Sequence, residues 1–105
     1  MASTQEFIEF VYEQIIGTWE IRYKKMFGEY MVYINNKPIL LVCNNTVYIK
    51  KLEAVEELMR DSDTGIPYKG AKEHYILDID NKSLSIEIIK ILEPITPLPK
   101  PKKKK

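Results

Sequence analysis

The sequence predicts an α+β domain, and three patterns predict it. Apolar residues recur at helical spacing near both ends, apolar and polar residues alternate through the middle, and two Asn-Asn pairs divide the alternating stretch. A chain of 105 residues is long enough for one core but too short for two. With 45% hydrophobic and 30% charged residues, the composition is that of a folded domain rather than a disordered one.

The first helix is expected over Thr4 to Ile16. Ser3-Thr4-Gln5-Glu6 has the spacing of a capping box, with a hydroxyl at the cap and a carboxylate three residues on. Phe7, Val11 and Ile15 then share one face, Glu6, Glu9 and Glu13 mark the wet one, and Gly17 terminates the helix. From Trp19 the period changes to two, with Ile21 and Tyr23 alternating with Arg22 and Lys24. Further strands follow at Glu29 to Ile34, Pro38 to Cys43 and Thr46 to Lys50. Asn35-Asn36 and Asn44-Asn45 between them can take the left-handed conformations of tight hairpin turns. Leu52 to Arg60 reads as a short second helix with Val55, Leu58 and Met59 inward. The stretch 65–73 has no clear period, and Tyr75 to Ile79 alternates as a last strand. Asp80 is placed to cap a final helix of Lys82 to Leu92, which Pro94 and the later prolines end. The expected organisation is one domain over residues 1–93 and an extended Pro/Lys-rich tail over 94–105.

With both hairpins closed by two-residue loops, the register assigns two faces. Met31, Tyr33, Leu40, Val42, Val47 and Ile49 share one; Tyr30, Val32, Ile34, Ile39, Leu41, Cys43, Tyr48 and Lys50 share the other. Neither face is polar, so either both are covered or one meets a partner. The tyrosine-bearing face, represented by Tyr30, Val32, Ile39, Leu41 and Tyr48, is the candidate interface, with self-association into a homodimer among its uses.

The net charge of +1 hides an asymmetry. Five of the 16 basic residues, Lys100, Lys102, Lys103, Lys104 and Lys105, lie in the tail; without them 11 basic residues face 15 acidic ones, a charge of −4. Nucleic-acid affinity depends on clustered cations neutralising phosphates, so it is expected to be weak and carried by the tail, assisted by Arg22, Lys24 and Lys50. The sequence has one histidine, His74, and one cysteine, Cys43, so neither a metal-ligand set nor a Cys-His or Ser-His-Asp arrangement can be assembled. No Gly-rich phosphate loop follows a strand. These readings predict no enzyme activity, no cofactor and no small-molecule substrate. The lone cysteine fits a reducing cytoplasm, and the N-terminus has neither the basic nor the apolar region of a secretory signal. No apolar run reaches membrane-spanning length.

Lys25-Met26-Phe27-Gly28-Glu29-Tyr30, an aromatic-aliphatic strand, a tight turn, a second apolar strand and Val47-Tyr48-Ile49-Lys50 follow in that order. This set resembles the N-terminal domain of the TfoX/Sxy competence-regulator family. Met26, Phe27 and Gly28 match that family's structural motif, and PYKGAKE (Pro67 to Glu73) resembles its short stand-alone bacterial members. The resemblance implies a two-layer α-β(3)-α-β(2)-α fold, like that of secretion chaperones. It also implies a role in competence or transcription regulation, which longer relatives with an additional C-terminal domain carry out. No catalytic or ligand residues come with it. The expectation is a non-enzymatic cytoplasmic regulatory adaptor that acts through protein contacts, with the basic tail as the alternative, a salt-dependent nucleic-acid binder.

Overall fold

A computed structural model describes residues 3–26 and 29–98. The order of elements is helix α1 (Gln5–Gln14), strands β1 (Ile21–Met26), β2 (Glu29–Ile34), β3 (Lys37–Cys43) and β4 (Thr46–Lys50), a 3-10 turn (Glu53–Val55), strands β5 (Thr64–Gly65) and β6 (His74–Leu77), and helix α2 (Lys82–Ile95). The strands form one antiparallel sheet in the order β1-β2-β3-β4-β6-β5. The α+β class and the antiparallel sheet with helices are as expected.

Both hairpin turns form as their sequences require. Asn35, Asn36, Asn44 and Asn45 have φ of 51°, 68°, 57° and 54°, the paired left-handed residues whose twist matches that of the flanking strands. Each turn is also fastened to one helix end. Asn45 Oδ1 accepts from the Thr4 backbone N–H at 2.9 Å, and the Asn45 N–H donates to Ser3 Oγ at 2.9 Å, which ties the second turn to the start of α1. The first turn meets the end of α2. There Asn35 Nδ2 donates to Glu93 Oε2 at 3.3 Å, and Lys37 Nζ lies 3.1 Å from the same oxygen and donates to the Glu93 carbonyl at 2.8 Å. A cation at a helix C-terminus also meets the negative end of the helix dipole.

One layer of this fold is the sheet and the other is α1, α2 and the 3-10 turn. Ile8, Val11 and Ile15 of α1, Ile88, Ile89 and Leu92 of α2, and Val55 and Met59 are buried against Tyr30, Val32, Ile34, Leu40, Val42, Val47, Ile49 and Leu77. The helices therefore lie on one side of the sheet.

Several local expectations are corrected. The helix cap is Thr4, whose Oγ1 accepts from the Phe7 N–H at 3.1 Å; Ser3 instead donates to Glu29 Oε1 at 2.9 Å. The chain leaves α1 at Gln14, and Gly17 makes room for Trp19, because a Cβ there would come within 3.0 Å of the indole. That indole donates to the Ile15 carbonyl at 2.8 Å. The expected second helix is only a 3-10 turn followed by further turns, and Leu58 is exposed while Val55 and Met59 are buried. Its first turn has no side-chain cap, so little favours a longer helix there. Asn81, not Asp80, caps α2, its Oδ1 accepting from the Leu84 N–H at 3.1 Å. The helix runs on through Pro94 to Ile95, which carries the folded unit past residue 93. Proline in the last turn forgoes a single bond, and Thr96 closes the end by donating both its N–H (2.9 Å) and its hydroxyl (2.7 Å) to the Leu92 carbonyl.

The largest correction concerns the faces of the sheet. Tyr33 pairs with Pro38 but Val32 pairs with Leu40, so Ile39 has no partner and β3 is bulged. Beyond the bulge every side chain of β3 changes face relative to β2. Tyr30, Val32 and Ile34 thus join Leu40 and Val42 toward the helices, instead of opposing them.

Candidate interaction surface

The bulge splits the expected interface. Tyr30, Val32 and Ile39 are buried in the core, at 6%, 1% and 7% exposure, and cannot meet a partner. Tyr30 is held there by an edge-on ring contact with Tyr23 (centroids 5.8 Å apart), which in turn meets Tyr12 of α1 at 6.5 Å. Leu41 and Tyr48 do face away from the helices, and both are half-buried.

Strand pairing supplies the residues that the sequence reading placed elsewhere. Lys24 pairs with Met31, Met31 with Leu41, Leu41 with Tyr48, and Tyr48 with Ile76. The Ile76 N–H donates to the Asp63 carbonyl at 2.8 Å. Directly paired residues share a face. The outward row therefore reads Lys24, Met31, Leu41, Tyr48, Ile76, four apolar side chains with a cation at the β1 end. Tyr33, paired with Arg22 on one side and Pro38 on the other, adds to this face one step along the strands. Lys50 and His74 pair at the same end.

The four apolar members of the row and Tyr33 are half-buried, whereas Lys24 is exposed. Neighbouring strands bury the apolar side chains part-way, and among the described residues no helix lies over them. The packing is close where β5 joins: a Cβ on Gly65 would stand 3.3 Å from Ile76 Cδ1 and 3.4 Å from Tyr48 Cε1. Tyr48 also meets the His74 ring edge-on at 6.4 Å, and His74 Nδ1 lies 2.7 Å from the Lys72 carbonyl.

The other expected site residues do not converge. Arg22 and Lys24 are exposed on edge strand β1, with Arg22 Nη1 donating to Asn36 Oδ1 at 3.1 Å. Lys50 is on β4, three strands away, about 14 Å at the usual strand spacing. Phe27, Gly28, Lys100 and Lys102 to Lys105 lie outside the described residues, and Met26 ends β1 opposite Glu29. Cys43 is buried, and burial followed by the nearby Glu29 carboxylate pushes its thiol up to about 11, which keeps it protonated and unreactive at neutral pH. No group of three or more His, Cys, Asp or Glu among the described residues is arranged to hold a metal ion. None of the described helices is long and apolar enough to cross a membrane.

The chain is similar to an uncharacterized 12.7 kDa protein in the trpE 5′ region of Spirochaeta aurantia. The two are 29% identical over 107 residues, which take in the whole of this chain and 93% of that relative. No family model matches the chain, and no solved structure matches it.

The alternating pattern could have located this surface in part. Ile76 shares a face with Tyr48 once the β4–β6 pairing is known, but that pairing joins strands separated by a long segment that holds only the 3-10 turn and the two-residue β5. Met31 and Tyr33 needed the bulge, whose one sequence marker is Pro38, a proline in a central strand directly before Ile39.

Proposed function

We propose that the protein is a regulatory adaptor without enzymatic activity, working in the cytoplasm through protein contacts made by the open sheet face. The observation that carries this reading is the row Met31, Leu41, Tyr48 and Ile76, contiguous across four strands and half-exposed on a sheet whose helices lie on the other side. Contiguous apolar patches of this kind mark interaction surfaces more often than scattered apolar residues do. The TfoX/Sxy-like segment around Met26 and Glu29 supports assigning those contacts to transcription or competence regulation. Nuclease-treated affinity capture from the native cell tests the reading, comparing the full chain with Leu41→Glu and with a chain lacking residues 100–105. A protein retained by the full and tail-deleted chains but lost with Leu41→Glu is the expected outcome. Capture that survives Leu41→Glu would remove the open face from the account. Capture abolished by nuclease or by tail deletion would favour nucleic acid instead, and such binding should fall steeply with salt.

A further inference from the structure

The stretch PYKGAKE (Pro67 to Glu73) has no period in the sequence and forms neither helix nor strand. Together with the end of β4 it lines a cavity of about 610 Å³. A tight turn shapes this stretch: the Ala71 N–H donates to the Tyr68 carbonyl at 3.0 Å, and Gly70 takes the positive φ, 90°, that the third position of such a turn requires. The cavity is cationic, although the chain without its tail carries a charge of −4. Its lining has three lysines, Lys50, Lys51 and Lys72, against one carboxylate, Glu73. Both oxygens of that carboxylate are engaged. Lys51 Nζ lies 3.0 Å from Oε1, and the Thr64 hydroxyl donates to Oε2 at 2.7 Å. Glu73 and Lys51 therefore cancel, which leaves Lys50 and Lys72 as two exposed cations with no ion-pair partner among the described residues. His74 pairs with Lys50 across the sheet. Its Nδ1 lies 2.7 Å from the Lys72 carbonyl, which can only accept, so Nδ1 carries the hydrogen and Nε2 is the nitrogen left to meet a ligand.

We infer that this cavity binds a small phosphomonoester, with the phosphate between Lys50 and Lys72 and the organic body against Tyr68 and Leu52. A terminal phosphate carries close to two negative charges at neutral pH and three strong acceptor oxygens, which two ammonium groups can neutralise as point charges. A carboxylate or a phosphodiester carries only one charge and would leave one lysine unmatched. The cavity is larger than a bare phosphate needs and falls in the size range of small-molecule sites. The rest of its wall suits an organic body. Leu52 is half-buried, and the Tyr68 ring is 59% exposed and stacks on no other ring among the described residues, a flat platform for a planar group. This site is separate from the apolar row of the open face, and its occupancy does not depend on the protein-contact reading.

Amide NMR of the full chain tests the inference, by titration with adenosine 5′-monophosphate, inorganic phosphate and adenosine at constant ionic strength. Saturable shifts at residues 50–52 and 68–74 are expected with the monophosphate, weaker binding with inorganic phosphate and none with adenosine. Lys50 and Lys72 are exposed, so Lys50→Gln and Lys72→Gln should leave the fold intact, which the unperturbed amides report directly. Each should raise the Kd of the monophosphate about tenfold. Tyr68→Ala should raise it about fivefold and leave inorganic phosphate unaffected, because only stacking is lost. A chain lacking residues 100–105 should bind as the full chain does. Absent shifts, shifts that disappear with the tail, or a Kd indifferent to both lysine substitutions would overturn the site. Adenosine binding as tightly as its monophosphate would overturn the phosphate's part in it, and an unchanged Kd in Tyr68→Ala would overturn the placement of the organic body. An oligonucleotide without a terminal phosphate that binds more tightly than the monophosphate would overturn the small phosphomonoester in favour of a nucleic-acid strand.

Discussion

The two faces of the sheet are made by the same strands, yet they differ in nearly every physical respect. Toward the helices, Val32, Ile34, Leu40, Val42, Val47 and Ile49 are at most 1% exposed and aliphatic. Toward the outside, Met31, Tyr33, Leu41, Tyr48 and Ile76 are half-exposed, and three of the five are Met or Tyr. Branched aliphatics suit a fixed, dry core, while Met adapts its shape and Tyr keeps a polar tip for a wetter environment. Aliphatic side chains predominate on the packed face, where Tyr30 and Tyr75 are also buried, and Met and Tyr predominate on the open one.

The sharpest way to break that comparison is to truncate adjacent residues on β3. Leu40→Ala should cost about 2–5 kcal/mol, because it leaves a cavity between the sheet and the helices. Leu41→Ala should cost about 1 kcal/mol in dilute protein, since its side chain is already part-exposed. Urea denaturation gives both numbers, and equal losses would mean that the two faces are not physically distinct.

Deleting Ile39 addresses the bulge itself. Without it Val32 can still oppose Leu40 and Tyr33 can still oppose Pro38, now in a regular ladder. The protein should fold with its faces unchanged, less stable by about 2–3 kcal/mol for the lost buried side chain. Backbone amide NMR would show whether the pairing persists; a wholesale change in strand pairing would contradict the bulge.

The next effects are smaller. Asn44→Ala forces a side chain with little left-handed tolerance to φ near 57° and should cost about 1–2 kcal/mol, whereas Asn44→Gly should recover most of it. Thr4→Ala should cost about 1 kcal/mol by removing the α1 cap, a loss visible in thermal melts and absent if Ser3 could serve instead.

The smallest expected effect is a pH dependence. The Asn35 amide, and then Lys37, holds the Glu93 carboxyl below its ordinary value of 4.5, and the Thr64 hydroxyl followed by Lys51 does the same for Glu73. A carboxyl whose value is lower folded than unfolded binds fewer protons in the folded state. Its contribution is therefore present above the unfolded value and is lost as pH falls through the lowered one. Melting temperature should decline below about pH 4.5, and Glu93→Gln should flatten that acid limb. An unchanged acid limb would show that the charge on Glu93 adds nothing to stability.

Much of this architecture is legible in the residues themselves. Both Asn-Asn turns and the four-strand meander follow from local rules, left-handed φ at Asn and period two; the helix faces follow only in part, since Val11 and Ile15 are buried as expected but Phe7 is half-buried beside a fully buried Ile8. β5 has no sequence signature because two residues carry no period, and the 3-10 turn resembles a helix in sequence because its apolar residues mimic a helical repeat. The cap at Thr4 rather than Ser3 was undecidable locally, since either hydroxyl fits. What selects Thr4 is the second hairpin turn, which takes Ser3 for itself through the Asn45 N–H.

Which face of the sheet meets the helices was not determined locally. Register is strongly fixed by sequence when one face is polar, because a one-residue slip would then bury charges. Here both faces of β2 and β3 are apolar, so a slip costs little in the alternating pattern, and the bulge at Ile39 is invisible to it. Only the packing of Ile8, Val11, Ile88, Ile89 and Leu92 against one side commits Tyr30 and Val32 to the core and leaves Met31, Leu41 and Tyr48 outside. The residues alone set the two hairpin turns, strands β1 to β4 and β6, and the two α-helices. The long-range packing decided which apolar residues became core and which became surface.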